Sequence, residues 1–181
     1  MLMQRATAAW TVAQRDRLPP DGNKYEVLDG ALLVTPSPTL RHQFIARALW
    51  LLLEPYVEEH ALGIVFALDT DVIDGDRNEV VPDTVVYPFT RETAPESWAT
   101  APRPILVAEI RSVSTWRNDV GPKRTFYESI AVPDYWIVDG DARVVTVVRG
   151  GHVDRRVTDV LRWHPTGASR PLEIDVQHLL R

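Results

Sequence analysis

The segment that most constrains the fold is the apolar run at residues 105–110, which reads Ile-Leu-Val-Ala-Glu-Ile. Because it lacks alternating polar residues, this run predicts a strand that is buried on both faces, at the centre of a sheet. Glu109 interrupts the run, and an ionised carboxylate in a central strand is unfavourable unless a partner charge or a metal ion neutralises it. Glu109 is therefore the first candidate for a functional residue.

A second carboxylate, Asp83, opens another predicted strand at residues 83–87. Pro82 precedes this strand and Pro88 ends it, which is where proline is tolerated in a sheet. Two carboxylates at the ends of adjacent strands can hold a cation between them and still leave coordination positions for water and a phosphate.

Lys123 lies in the first turn of a helix that is predicted to begin at Pro122 and to end near Ile130. The spacing puts Lys123 on the same inward face as Phe126 and Tyr127. A positive charge at this end opposes the helix dipole, and a nearby pair of carboxylates would remove that conflict. A lysine that extends to the surface fits the spacing equally well, so both interpretations remain open.

A hairpin is predicted near the start of the chain. Strands at Lys24–Leu28 and Ala31–Thr35 flank the dipeptide Asp29-Gly30, and this pair favours a two-residue turn in which both positions have positive φ. Glu26 lies on the first strand, where a solvent-facing glutamate is a commoner outcome than a functional one.

Ser37 as an N-cap followed by Pro38 predicts a long helix that ends near His60. His42 points inward from the first turn of this helix. A histidine at such a position is more often a hydrogen-bonded core residue than a ligand, and we keep both interpretations.

The other predicted elements are short. The acidic turn after residue 68 lacks the glycine and glutamate spacing of a calcium loop, so we interpret it as an ordinary turn. A helix is expected at residues 10–18, strands at 64–68, 70–73, 134–138, 144–149 and 152–158, and a strand followed by a helix at 171–181.

Composition limits the function classes. The 181 residues fit a single domain, and the absence of cysteine excludes disulfides, thiolate zinc sites and cysteine nucleophiles. The formal net charge of −5 argues against a uniform basic coat for nucleic acid, although a local basic groove remains compatible with it. With neither an apolar leader nor a membrane-spanning run, we expect a soluble, cytoplasmic protein.

These residue types favour metal-assisted phosphodiester hydrolysis. Oxygen ligands suit Mg²⁺ or Mn²⁺, which can neutralise charge on a phosphate and activate water, and a lysine can stabilise developing charge. The chain has no Gly-x-Ser-x-Gly elbow, no glycine-rich phosphate loop and no His-Glu-x-x-His pair. Metal-carboxylate chemistry is therefore preferred by elimination.

The order of these motifs resembles the PD-(D/E)XK nuclease superfamily. A longer set of spaced blocks is similar to the Uma family of restriction-endonuclease-like proteins, over roughly residues 11–180. The blocks are Tyr-Glu-Val-Leu-Asp-Gly at 25–30, Pro-Ser-Pro at 36–38 with Arg-His-Gln at 41–43, Val-Pro-Asp at 81–83, Val-Ala-Glu-Ile at 107–110 with 112–115, residues 119–127, and Val-Pro-Asp-Tyr-Trp-Ile-Val-Asp at 132–139.

The resemblance implies an α/β fold, of mixed α+β type, with a mixed central β-sheet flanked by helices. It further implies a metal-dependent DNA endonuclease with Mg²⁺ or Mn²⁺ as cofactor, often assembled as a homodimer. Asp83 and Glu109 would then bind the metal, Lys123 would be the relocated catalytic lysine, and Glu26, which matches the family's early glutamate near the site, would join these three as a catalytic residue. His42 corresponds to the family's helix histidine.

Three positions depart from the family pattern. Ala31 replaces a second glutamate, and Val113 replaces the proline of a Ser-Pro-Ser-Thr turn. Arg111 stands where the superfamily has a lysine and cannot act as a base, although it can clamp a phosphate. We therefore group Arg111 and Ser112 with His42 as candidates for substrate contacts.

Three functions remain open from the sequence. The first is a magnesium-dependent DNA endonuclease, which the two acids and the lysine favour. The second is a nucleic-acid or protein-binding module on the same fold without catalysis, which Ala31, Val113 and the acidic charge favour. The third is hydrolysis of a phosphoester other than DNA.

Overall fold

Two larger β-sheets that share one connecting segment form the frame of the protein, and a hairpin near residue 170 forms a third sheet of two strands. A computed structural model describes residues 9–67, 70–112 and 116–181, so the predicted strand end at Leu68, the acidic Asp69 and the turn that contains Val113 lie outside the described residues. The strands are β1 Lys24–Leu28, β2 Ala31–Thr35, β3 Ile64–Ala67, β4 Val72–Ile73, β5 Glu79–Val80, β6 Thr84–Tyr87, β7 Leu106–Ile110, β8 Asp134–Asp139, β9 Val144–Val148, β10 Arg155–Val157, β11 Val160–Trp163 and β12 Leu172–Asp175. The helices are α1 Val12–Arg15, α2 Leu40–Glu59, α3 Trp116–Val120, α4 Pro122–Ser129 and α5 Val176–Leu179.

The larger sheet has the strand order β10-β9-β8-β7-β6-β3. β7 lies in its interior, antiparallel to β6 and parallel to β8, and all five of its residues are buried. The sheet is therefore mixed, and the central position expected for the run at 105–110 is confirmed.

The smaller sheet has the order β2-β1-β5-β4, and the predicted Asp29-Gly30 hairpin forms its edge. The segment expected to continue or neighbour β3 instead becomes β4, which pairs with β5 in this second sheet. The chain passes from one sheet to the other between β5 and β6, at residues 81–83. Asp83 therefore lies at the junction of the two sheets.

The helix starts differ from the sequence expectation in two places. α2 begins at Leu40, because the side chain of Thr39, and not that of Ser37, accepts a hydrogen bond from the backbone N–H of His42 at 3.2 Å. The Ser37 hydroxyl donates to the carbonyl of Gly22 at 2.8 Å instead. α1 covers only four residues of the predicted 10–18 range.

The pleat of the larger sheet separates two apolar clusters. Leu106, Ala108 and Ile110 pack with α2 on one face, whereas Val107 packs with Phe126 and Tyr127 on the other. Since side chains alternate along a strand, Glu109 shares the second face with Val107. The alternation thus directs the carboxylate of Glu109 towards α4, the helix that carries Lys123.

No helix in the described parts of the chain combines the length and the apolar character that a membrane crossing requires.

Candidate active site

The two predicted metal-binding acids lie side by side at the junction of the sheets. Thr84 pairs with Ala108 across β6 and β7, so the preceding Asp83 comes opposite Glu109. The backbone N–H of Ile110 donates to Asp83 Oδ2 at 2.7 Å, which ties the first acid to the strand that carries the second. Both carboxylates are buried.

Lys123 joins two of the acids. Its Nζ lies 2.8 Å from Glu26 Oε1 and 2.9 Å from Glu109 Oε1, and the lysine is only 4% exposed. The inward orientation is thus the one that forms, and the surface alternative is wrong. The pair of carboxylates offsets the unfavourable position of Lys123 at the start of α4.

Glu26 is 1% exposed, so the solvent-facing interpretation of this residue is also wrong. The reason is tertiary, since α4 packs against β1 and places Lys123 on Glu26. The backbone N–H of Val81, just after β5, donates to Glu26 Oε1 at 2.7 Å. This contact holds Glu26 beside the ammonium group of Lys123.

Asp83 Oδ1 faces two nitrogen groups. His42 Nε2 lies 3.1 Å away and Lys24 Nζ lies 3.4 Å away. The His42 ring is thus the nearer of the two nitrogen groups to this carboxylate oxygen. His42 therefore lies at the candidate site, which the core interpretation of this residue did not anticipate.

The ionisation of the site follows from burial and from these contacts. Burial raises the pKa of Asp83, but His42, Lys24 and the Ile110 N–H outweigh burial and lower the pKa overall. Burial raises the pKa of Glu109 to about 8, against the opposing effect of Lys123. Burial lowers the pKa of Lys123, but Glu109 and Glu26 reverse this, so the pKa of Lys123 is raised and the amine stays charged.

All of these groups line one cleft of about 860 Å³. The candidate substrate contacts Arg111 and Ser112 lie on its wall. Arg111 donates from Nη1 to Asp139 Oδ2, and its guanidinium carbon lies 5.2 Å from the centre of the Trp116 ring. The structure thus brings every predicted site residue to one concave surface.

Three further residues belong to this arrangement and were not assigned to it from the sequence. Tyr127 donates from its hydroxyl to Glu109 Oε1 at 2.8 Å, and Asp119 is buried in the wall of the cleft. Lys24 is the third. Lys24 lies two residues before Glu26 on β1, so both side chains are on the same face of the strand. This spacing is the signal that could have identified Lys24.

The donor set fits a hard divalent cation only in part. No group of three or more histidine or acidic side chains with metal-ligand spacing occurs in the described ranges. Asp83 and Glu109 do provide carboxylate oxygens in one cleft, and Mg²⁺ is commonly held by one or two carboxylates while water completes the shell. Lys123 and Tyr127 both contact Oε1 of Glu109, and neither contacts Oε2.

The fold belongs to the restriction-endonuclease-like class of α+β proteins, with a central mixed sheet and few helices. The chain itself is a member of the Uma2 family, described as "Putative restriction endonuclease", whose sequence profile matches residues 12–175. The family resemblance predicted from the sequence is therefore confirmed.

A solved structure supports the fold. The chain is similar to a crystal structure described as a putative nuclease belonging to DUF820 from Anabaena variabilis, with a TM-score of 0.79 and 20% sequence identity. The alignment covers 94% of this chain and 97% of the other. No curated protein matches the sequence.

Proposed function

We propose that this protein is a divalent-metal-dependent endonuclease that hydrolyses phosphodiester bonds of DNA, and that it acts in the cytoplasm. One observation carries the proposal. Two buried carboxylates lie opposite each other, Asp83 directly before β6 and Glu109 on β7, and Lys123 Nζ contacts the second of them at 2.9 Å. Membership of a family described as endonucleases supports the same reading.

Asp83 and Glu109 would hold Mg²⁺ or Mn²⁺. Such a cation neutralises charge on the scissile phosphate and makes a bound water nucleophilic near neutral pH. Lys24 and His42 keep Asp83 ionised, which a carboxylate ligand requires. Because burial raises the pKa of Glu109 to about 8, a cation that binds here near neutral pH would displace a proton from Glu109.

Lys123 acts in this proposal as a fixed positive charge. Its pKa is raised by Glu109 and Glu26, so the ammonium group does not lose its proton and does not serve as a base. It can instead orient the attacking water or stabilise charge on the phosphate. Glu26 holds the lysine in place, and Arg111 cannot replace it as a base because arginine stays protonated.

Plasmid cleavage with Mg²⁺ or Mn²⁺ tests the proposal. Asp83→Asn and Glu109→Gln keep the shape of each side chain and remove the charge, so each is expected to reduce cleavage at least about a hundredfold. Glu173→Gln is the matched control, because Glu173 forms an exposed pair with Arg162 outside the cleft. Equal cleavage by wild type and both site variants would contradict the proposal.

A second candidate is a nucleic-acid or protein-binding module without catalysis. One observation favours it, because the contacts of Lys24 and Lys123 already neutralise Asp83 and Glu109 in part. Thermal melts with and without Mg²⁺ or Mn²⁺ separate the two functions. A cation that binds only the folded protein raises the melting temperature, whereas a pure binding module shows no such shift.

We also propose that the protein forms a homodimer. Leu40, Phe44 and Leu51 are exposed on one face of α2, which is an apolar surface without a partner in the described chain. The N-terminal half of that helix is basic and the C-terminal half is acidic. Two antiparallel copies of α2 would therefore bring opposite charges together around the apolar residues.

A further inference from the structure

The turn between β8 and β9, at residues 139–141, organises two arginines on the wall of the cleft. Arg111, which follows β7, donates from Nη1 to Asp139 Oδ2. Arg41, in the first turns of α2, donates from Nη2 to the carbonyl of Gly140 at 2.6 Å and from Nη1 to Asp141 Oδ1 at 2.8 Å. Two elements that are distant in sequence thus present guanidinium groups that are fixed to one short turn.

The turn is itself rigid where it meets these side chains. Asp139 Oδ1 accepts hydrogen bonds from the backbone N–H groups of Asp141 and Ala142, at 3.1 and 2.9 Å. A Cβ at Gly140 would lie 2.7 Å from Ile45 Cδ1, the end of a side chain on α2, so the turn and this helix are in close contact.

Both arginines retain hydrogen-bonding capacity towards the cleft. A guanidinium has five N–H donors, and the hydrogen bonds to the turn use one from Arg111 and two from Arg41. The side chain of Arg41 is 47% exposed and that of Arg111 is 39% exposed, and both line the same cleft as Asp83 and Glu109. The guanidinium of Arg111 also lies over the ring of Trp116, in a cation–π contact.

We infer that Arg41 and Arg111 form a clamp for the phosphate backbone of a nucleic acid that enters this cleft. Planar guanidinium groups match the geometry of phosphate oxygens and hold them with paired hydrogen bonds. The alternative is that the two arginines only tie the turn to its neighbours. The exposed pair between Arg41 and Asp141 contributes little to stability, so of the contacts of Arg41 with the turn only the hydrogen bond to the Gly140 carbonyl favours this alternative.

This inference rests on the proposed function, since it assumes a nucleic-acid substrate, but it is tested without catalysis. The probe is a short fluorescein-labelled DNA duplex, with binding followed by fluorescence anisotropy in EDTA over a series of salt concentrations. Arg41→Gln and Arg111→Gln are each expected to weaken binding about tenfold, and each is expected to reduce the slope of log K against log[salt] by about 0.9 for one lost phosphate contact.

Arg162→Gln is the matched control, because Arg162 is exposed, forms an ion pair with Glu173 and does not line the cleft. Arg111→Lys keeps the charge and loses the fork, so it is expected to restore the salt slope but not the full affinity. The clamp is overturned if Arg41→Gln and Arg111→Gln bind the duplex with the same affinity as Arg162→Gln. It is also overturned if the wild-type protein does not bind the duplex. A wild-type protein that binds the duplex but does not cleave DNA would count against the proposed catalysis alone. The clamp would remain supported.

Discussion

At the scale of single residues, Lys123 determines how three buried charges are tolerated. Its ammonium group contacts both Glu26 and Glu109, and all three side chains are at least 95% buried. Removing one partner of a buried ion pair leaves the other without compensation. The lysine therefore has a structural role as well as the proposed role in catalysis.

Lys123→Met is expected to lower the free energy of unfolding by roughly 3–5 kcal/mol, because methionine keeps the volume of the side chain and leaves two buried carboxylates unpaired. Urea denaturation measures the change.

Arg162→Met is the matched control for this substitution. Because Arg162 and Glu173 form an exposed pair that solvent screens, its loss is expected to leave the free energy of unfolding close to that of the wild type. Equal stability of Lys123→Met and wild type would mean that Lys123 does not compensate the acids.

The residue pattern predicted part of this site and missed part of it. The apolar run around Glu109 already required a partner for the carboxylate, and helix spacing placed Lys123 on an inward face. The burial of Glu26 could not be foreseen from its hairpin, because it depends on contacts with α4 and with Val81, which are distant in sequence. The contact of His42 with Asp83 likewise depends on how α2 crosses the sheet.

At the scale of elements, the turn from α2 into β3 depends on one glycine. Gly63 has a φ of +134°, and a Cβ there would lie 1.9 Å from the carbonyl oxygen of Tyr87 on β6. β3 pairs with β6 directly after this turn, beginning with Ile64 opposite Tyr87. This close approach determines where β3, the edge strand of the larger sheet, begins beside β6.

Gly63→Ala is expected to lower the free energy of unfolding by about 2–5 kcal/mol, since a positive φ and a clash with backbone act together. Chemical denaturation followed by circular dichroism measures the loss.

Gly75→Ala separates the two effects. Gly75 also has a positive φ, of +71°, but no described atom lies within 4 Å of its Cβ position. Its substitution is therefore expected to cost only about 1–2 kcal/mol, and equal losses in the two variants would show that the clash at Gly63 has no effect.

The positions of the helices and strands were predicted better than the pairing of the strands within the sheets. Strong local signals, such as the Asp29-Gly30 turn and the proline before Lys123, located the first hairpin and α4 closely. The exchange of β4 into the smaller sheet was not predictable, because short strands carry too little periodicity to specify a partner. The start of α2 was displaced because Ser37 and Thr39 are both suitable caps.

At the scale of the whole molecule, the exposed face of α2 tests the proposed homodimer. Phe44 is 61% exposed at the centre of that face. Phe44→Glu is expected to convert a dimer into a monomer, because it puts a charge into the apolar contact. Light scattering coupled to size-exclusion chromatography gives the mass of each species.

Val153→Glu is the control for this change, since Val153 is 94% exposed on a loop and is not part of α2. It is expected to leave the mass unchanged. A wild-type protein that elutes as a monomer at high concentration would contradict the homodimer.

The central claim is that Asp83 and Glu109 together bind a divalent cation. A crystal of the protein soaked in Mn²⁺ tests it most directly, since anomalous scattering locates manganese without ambiguity. We expect one peak at about 2.1 Å from an oxygen of each carboxylate, with water in the remaining positions. A soaked crystal with no anomalous peak between Asp83 and Glu109, and with Lys123 still bound to Glu109, would contradict the claim.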